Sequence, residues 1–386
     1  MSLRVLVVDD TAVFRKLITD ALTGIPDVEV CGTASNGRLA LARIEALQPN
    51  LVTLDLEMPE MNGIETLEAI SKMASGPGVI MLSSGTTRGT QATMKALELG
   101  AFDFVAKPDA GDASSTIAKL RALLTPKIQA FARRREIRQM LASTYRKASI
   151  VSEGPAATLQ SFQAPAVGAV VPERRAVPRD PLPLAASTAT KIRGTPLILI
   201  GVSTGGPRAL AEVLPALPAD LAAPVLIVQH MPPLFTAALA QSLQGKSRIR
   251  VKEAEDGESP VSGCAYLAPG GRHMTLVGGA MGKGIIKLSD SPPEHGCRPA
   301  VDVLFRSVAV AFPQRSIAVI LTGMGSDGTE GVRELKKSGC ISIAQDEPSS
   351  TVFGMPREVI RAGIADYVVP LHLVAGEIMR QVRDAK

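Results

Sequence analysis

The chain has 386 residues, enough for two or three domains, and its 46% hydrophobic and 20% charged content suits globular cores. Aromatic residues make up only 3% and Trp is absent, which argues against a stacking surface for single-stranded nucleic acid. The net charge of +5 is concentrated: residues 125–193 hold 12 Lys and Arg against 4 Asp and Glu, whereas residues 1–124 hold 11 against 15 and residues 194–386 hold 19 against 18. A solvated basic segment, not a nucleic-acid-binding domain face, is expected.

From the N-terminus, "RVLVVDD", "VEVCGTAS", "LVTLDLEMP", "GVIMLSSG" and "FDFVAKP" read as five buried strands, with helices near 11–23, 36–47, 62–74 and 88–99 between them. Apolar runs without period-two alternation mark strands covered on both faces, and strand–helix alternation implies a parallel, doubly wound α/β domain over residues 1–124. The opening "MSLRVLVVDD" is too short an apolar run for a signal peptide or a membrane span. Residues 125–147 read as a basic helix, and residues 148–190, with six prolines among Ala, Val, Ser and Thr, as a linker; together 125–193 separate two domains. From 194 to 386 the alternation resumes in "PLILIGVS", "PVLIVQH", "CAYLAPG", "SIAVILTGMG", "CISIAQD" and "DYVVP", a second and larger doubly wound parallel sheet. Cys31, Cys264, Cys297 and Cys340 show no zinc-ligand or disulfide spacing, so a reduced, cytoplasmic, soluble protein without membrane insertion is expected.

In the first domain, chemistry-bearing residues gather at strand ends. Asp9 and Asp10 close the first strand, Asp55 the third, Ser83 the fourth and Lys107 the fifth. Ligands of parallel sheets bind beyond these carboxyl ends. Three carboxylates crowded there call for a cation, and an all-oxygen set suits Mg²⁺. Lys107 offers a point charge to an anion, and Ser83 a hydroxyl. A single Asp at a strand end is most simply a helix cap; four strand ends converging on one spot make an anion site.

In the second domain, "LILIGVSTGG" places Ser203 between Gly201 and Gly205. Alone, this stretch fits a nucleophile turn, a phosphate-cradling loop or a capped helix start. His230 ends the next strand and Asp327 follows a third. Serine, imidazole and carboxylate at three strand ends favour nucleophilic catalysis: the imidazole takes the serine proton and the carboxylate orients the ring. The dinucleotide alternative wants an acidic residue ending the following strand, which here ends in Gln229-His230.

"VLVVDD…TLDLEMPEMNG…VIMLSS…FDFVAKP" resembles the receiver domain of two-component response regulators. The resemblance implies phosphorylation of Asp55 by a histidine kinase. It implies Mg²⁺ held by Asp10, Asp55 and the Glu57 carbonyl with Asp9 assisting, and phosphoryl contacts from Ser83 and Lys107. Phe104 takes the place of the family's switch aromatic, without a hydroxyl. The stretches "IGVSTGGPRAL", "VLIVQHMPPLFT", "YLAPGGRHMTL", "CRPAVDVLFRSVA", "VILTGMGSDGTEG" and "AQDEPSSTVFGMP" resemble the C-terminal domain of the chemotaxis protein-glutamate methylesterases (CheB).

That second resemblance implies Ser203 as nucleophile, His230 as base and Asp327 as its partner, with Thr204, His273 and Met324 lining the pocket and Met324 near the oxyanion. Cys297 stands where this family often has His before Arg-Pro. The implied activity is hydrolysis of glutamate methyl esters, and deamidation of glutamines, on the cytoplasmic helices of methyl-accepting chemoreceptors. The implied control is relief of an active-site block on phosphorylation, with no cofactor for hydrolysis. The alternative is a phosphorylation-controlled receptor-binding module without turnover. A transcriptional regulator is disfavoured by the near-neutral second domain.

Overall fold

The computed structural model describes residues 2–108, 111–150, 196–278, 284–312 and 316–384, with the side chains of residues 138 and 141–150 left out; the proline-rich linker expected within 148–190 lies outside the described residues from 151 on. The first domain is a sheet of five parallel strands, β1 (Leu3–Val8), β2 (Val28–Ala34), β3 (Leu51–Asp55), β4 (Gly78–Ser83) and β5 (Asp103–Ala106), in the order β2-β1-β3-β4-β5. Helices α1 (Ala12–Thr23), α2 (Gly37–Leu47), α3 (Gly63–Ser71), α4 (Thr87–Glu98) and α5 (Ala113–Ile150) connect and cover it. Local chemistry sets their starts. The Asn36 side chain accepts from the Leu39 amide, Thr86 does so from Gly89, and Asn62 and Glu65 form a reciprocal capping box. Strand order reverses at β1, so the ends of β1 and β3 open a crevice where Asp9, Asp10 and Asp55 sit.

Helix α5 runs without interruption past residue 124 and through Pro126. Leu120, Leu124 and Ile128 are buried against Leu3, Ile18 and Leu22 of the first domain. The helix thus joins the sheet's outer layer and then extends toward the second domain.

The second domain carries seven parallel strands in the order β14-β13-β12-β6-β7-β9-β8: β6 (Leu197–Val202), β7 (Val225–Gln229), β8 (Arg250–Glu253), β9 (Cys264–Leu267), β12 (Ser316–Ile320), β13 (Ile341–Gln345) and β14 (Tyr367–Val369). Helices α6 (Gly206–Val213), α7 (Phe235–Gln244), α8 (Val301–Ala311), α9 (Thr329–Lys337), α10 (Met355–Arg361) and α11 (Leu371–Asp384) pack on it. Its centre is buried throughout: every residue of β6, β7, β12 and β13 is buried, most of them apolar.

Two features were not expected from the sequence. β8 is a short, charged edge strand, "RVKE", whose pattern does not stand out from a loop. β10 (His273–Gly278) and β11 (Gly284–Ser289) form an antiparallel hairpin apart from the main sheet. β6 lies between β7 and β12, so the chain leaves it in opposite directions. The topological switch point of this domain is therefore at Ser203.

Candidate functional site

The receiver-like crevice is built around a half-buried cation. Lys107 Nζ lies 2.8 Å from Asp9 Oδ2 and 2.8 Å from Asp55 Oδ1. Thr11 donates its amide to Asp9 Oδ1 and Leu56 donates its own to Asp55 Oδ1. Burial favours neutral Asp55 and outweighs the attraction of Lys107; with Asp9 and Asp10 adding repulsion, the carboxyl is pushed up to about 6. Burial opposes the charge on Lys107, but Asp55 and Asp9 more than offset it and raise its pKa.

Asp9, Asp10 and Asp55 place carboxylate oxygens within 4.8 Å of one another. Asp9 Oδ2 is buried, with its charge met by Lys107 but no well-angled hydrogen bond. An oxygen-liganded divalent cation fits that donor set. Glu57 follows Asp55 by two residues, exposed in the loop after β3. Ser83 accepts from the Lys107 amide through its carbonyl at 2.8 Å, but its hydroxyl is engaged elsewhere: it donates to the Ser84 and Gly89 carbonyls and accepts from Thr93 at 2.7 Å.

In the second domain, β6 ends at Val202 and the chain turns at once into α6. Gly205 adopts φ +81°, and a Cβ on Gly206 would lie 1.8 Å from Gln229 Oε1, so neither position accepts a larger residue without distortion. The turn is pinned by Ser203 N donating to the Thr322 carbonyl and by Gln229 Nε2 donating to the Ser203 and His230 carbonyls. His230 follows β7, and its Nε2 lies 2.7 Å from Asp327 Oδ2.

Asp327 is itself held by the start of α8: Val301 N donates to Oδ2 at 2.7 Å and Asp302 N to Oδ1 at 2.9 Å. A helix N-terminus directed at a carboxylate favours its charged form. Burial opposes the Asp327 charge, but the bond to His230 and these amides outweigh it and lower its pKa. Burial likewise opposes the His230 cation, yet the hydrogen bond to Asp327 and the neighbouring Cys297 sulfur carry the imidazole up to about 9. Ser203, His230 and Asp327 thus come to one sheet edge, with His230 bound to Asp327. Ser203 Oγ has no hydrogen-bond partner among the described residues.

Two family profiles match the chain: "CheB methylesterase" over residues 198–378 and "Response regulator receiver domain" over residues 5–118. The chain is 45% identical to a "Protein-glutamate methylesterase/protein-glutamine glutaminase" of Desulfotalea psychrophila, over 99% of both chains. It is 40% identical to the protein of the same name from Bacillus subtilis, over 99% of each. The chain belongs to this methylesterase family. A solved structure, the CheB methylesterase catalytic domain of Thermotoga maritima, is 44% identical, with 48% of this chain and 98% of that chain covered and a TM-score of 0.47.

In this methylesterase the receiver domain packs against the Ser203 turn. Thr204, beside Ser203, donates its hydroxyl to Asp103 Oδ2 of β5 at 2.8 Å, and Lys127 of α5 meets the same oxygen at 2.8 Å. Phe104 stacks on Phe235 of α7 with ring centroids 4.5 Å apart. Glu98 at the end of α4 accepts from Ser242 and pairs with Lys246, each at 2.6 Å. Met324, half-buried, packs on the receiver's apolar cluster together with Val352.

Two clefts flank the covered turn, of about 810 and 1140 Å³. Gly205 and Arg208 line one, Met324 and Gly325 line the other, and Arg134 and Arg135 of α5 border both. His273 is fully buried, with Nδ1 accepting from Ala300 N and Nε2 facing the Pro292 carbonyl, so both ring nitrogens hold main chain. Gln229 is the site residue that sequence reasoning missed as a contributor. In sequence it only ends a strand without an acidic group; the clamp it forms on the Ser203 turn depends on a long-range contact.

Proposed function

We propose that this methylesterase hydrolyses γ-methyl esters of protein glutamates through Ser203, His230 and Asp327, and deamidates glutamines by the same acyl-enzyme route. The observation that carries this is the 2.7 Å His230–Asp327 contact at the switch point beneath the Ser203 turn. Ser203 Oγ attacks the ester carbonyl while His230 accepts its proton. The tetrahedral oxyanion collapses, and methanol leaves with the proton from His230. A water, deprotonated by the same imidazole, then releases the glutamate carboxylate. Asp327 holds the ring orientation and stabilises the imidazolium. The N-terminus of α6 lies beside the nucleophile, where its partial positive charge favours the oxyanion.

The substrates are the methylated cytoplasmic helices of chemoreceptors, and a chemotaxis histidine kinase is the phosphodonor to Asp55; the protein acts in the cytoplasm. Among the described residues no helix is long and apolar enough to cross a membrane. Asp9, Asp10 and Asp55, with the Glu57 carbonyl, would hold Mg²⁺, which when bound offsets the charge of a phosphoryl group at Asp55. Lys107 stands ready to pair with that group, and Ser83 to hydrogen-bond it once released from Thr93. The closed arrangement is a resting state, because the Asp103–Thr204 bond and the Phe104–Phe235 stack occupy the face a receptor helix must reach. Phosphorylation acts by favouring the separated state.

Methanol release from methylated receptor membranes tests both halves. Ser203→Ala is expected to lose about 10⁴- to 10⁶-fold in rate while still accepting phosphate; retained turnover would refute the triad. Asp55→Asn is expected to keep basal hydrolysis and lose stimulation by a small-molecule phosphodonor; stimulation that survives would exclude Asp55 as the switch.

A further inference from the structure

The Ser203 turn lies between the ends of β7 and β12, and it is tied to each side. On the β7 side the tie is Gln229, which leads directly into His230. On the β12 side it is Thr322, which follows that strand by two residues and precedes Asp327 by five. The Thr322 carbonyl accepts from the Ser203 amide at 3.0 Å. The Thr322 hydroxyl donates to the Thr204 carbonyl at 2.9 Å. One residue therefore grips the main chain on both sides of the Ser203 side chain. The contact continues at the next position, where a Cβ added to Gly323 would lie 2.9 Å from Ser203 Cβ.

Thr322 is itself firmly seated. Its amide donates to Gln345 Oε1 at 2.8 Å, and Gln345 is fully buried at the end of β13. Gln345 Nε2 in turn donates to Ser349 Oγ at 3.2 Å. The Thr322 hydroxyl accepts from the Val352 amide at 2.9 Å, and the Val352 carbonyl is a second acceptor for its proton at 3.2 Å. Gly323 N donates to that same carbonyl at 3.0 Å, and the amides of Gly354 and Met355 each close on the Gly323 carbonyl at 2.9 Å. A hydroxyl has one proton to give and two lone pairs with which to accept. This one is shared between the Ser203 turn and the loop after β13. Thr322 is buried, so removing its hydroxyl leaves main-chain groups of both segments short of a partner.

We propose that Thr322 is a positioning residue for the nucleophile: its carbonyl and hydroxyl fix the Ser203 main chain relative to the segment that leads to Asp327. This rests on the triad proposed above. Gln229 ties the turn to the residue bearing the base, and Thr322 ties it to the segment bearing the acid, so the two together set Ser203 against both of its partners. The bonds of the Thr322 hydroxyl go to main-chain groups, so it sets geometry and offers no group to the substrate. Its loss belongs in kcat, with KM little changed. Valine keeps the shape of threonine without the hydroxyl, whereas serine keeps the hydroxyl without the methyl group, so the pair separates hydrogen bonding from bulk.

The test measures kcat and KM for phosphodonor-stimulated methanol release by the full chain on methylated receptor membranes. Rates are taken per mole of folded enzyme, below the unfolding midpoint of each variant. Thr322→Val is expected to lose about 10- to 100-fold in kcat with KM within about twofold of the parent, because a shift of the nucleophile by about an ångström suffices for such a loss. Thr322→Ser is expected to recover kcat to within about threefold of the parent. If Thr322→Val does not fold, Gln345→Met carries the test: it leaves the Thr322 hydroxyl in place but frees the amide that seats it, and the same pattern of lowered kcat at constant KM is expected. A folded Thr322→Val, or Gln345→Met in its stead, with parental kcat would overturn the proposal. So would a Thr322→Ser variant no faster than Thr322→Val, because bulk and not the hydroxyl would then be at work. If Ser203→Ala retains turnover, the triad itself is wrong; if it is inactive while Thr322→Val matches the parent, only the positioning role is wrong.

Discussion

In the proposed reaction the deciding side chain is His230, because its protonation state would fix whether Ser203 can be activated. Burial works against its cation, but Asp327 and Cys297 outweigh burial and carry the ring up to about 9. The base must be neutral to accept a proton. Hydrolysis by the unphosphorylated chain is therefore expected to keep rising with pH from about 7 to 9, where an ordinary imidazole would already be fully active. An initial-rate profile of methanol release checks this; a plateau reached by pH 7 would contradict it. The same shift bears on stability with a definite sign. The folded state binds the proton more tightly than the unfolded chain, so this contribution is complete below the ordinary imidazole value and is lost as pH rises through about 9.

At the scale of elements, the β6–α6 turn is the most constrained part of the catalytic domain. Gly206 opens α6 directly over Gln229, and Gln229 clamps the carbonyls of both Ser203 and His230. Gly206→Ala is expected to displace Gln229, because an added Cβ meets its Oε1 at 1.8 Å. Thermal or denaturant unfolding should show a loss of about 1–3 kcal/mol, and turnover should fall by a larger factor than that loss explains, because the displaced clamp moves nucleophile and base together. Unchanged kinetics in a folded variant would mean that the clamp has no catalytic consequence. The turn itself was legible in "GVSTGG", since glycines flanking a serine after an apolar run have few other uses. The clamp was not, because nothing local distinguishes Gln229 from any polar residue ending a strand.

For the molecule as a whole, the described contacts between domains are mixed: an aromatic stack, a hydrogen bond to a shared carboxylate, an ion pair with a hydroxyl, and apolar packing that includes Met324 and Val352 on the receiver's cluster. Such contacts are individually worth on the order of 1 kcal/mol. A phosphoryl group can therefore shift the balance without remodelling either fold. Phe104→Ala is expected to raise basal hydrolysis by about 2- to 10-fold and to shrink the stimulation by phosphodonor in proportion, measured on the same receptor membranes. Unchanged basal activity with an intact receiver would show that the stack does not hold the domains closed.

Both α/β domains and the gathering of Asp9, Asp10, Asp55 and Lys107, and of Ser203, His230 and Asp327, at strand ends were set by the sequence itself, because apolar runs, glycine turns and polar residues at strand ends are local patterns. The family resemblance drawn from those motifs agrees with the full-length relatives. Tertiary structure alone decided the rest. It placed Ser203 at the switch point, brought the amides of α8 onto Asp327, buried His273 against main chain, and turned the Thr204 hydroxyl toward Asp103. It also showed that α5 continues past residue 124 and borders both clefts beside the Ser203 turn. These are contacts between residues tens to hundreds of positions apart. Local pattern carries no record of such pairings, because their energies depend on which surfaces meet once the sheets have formed.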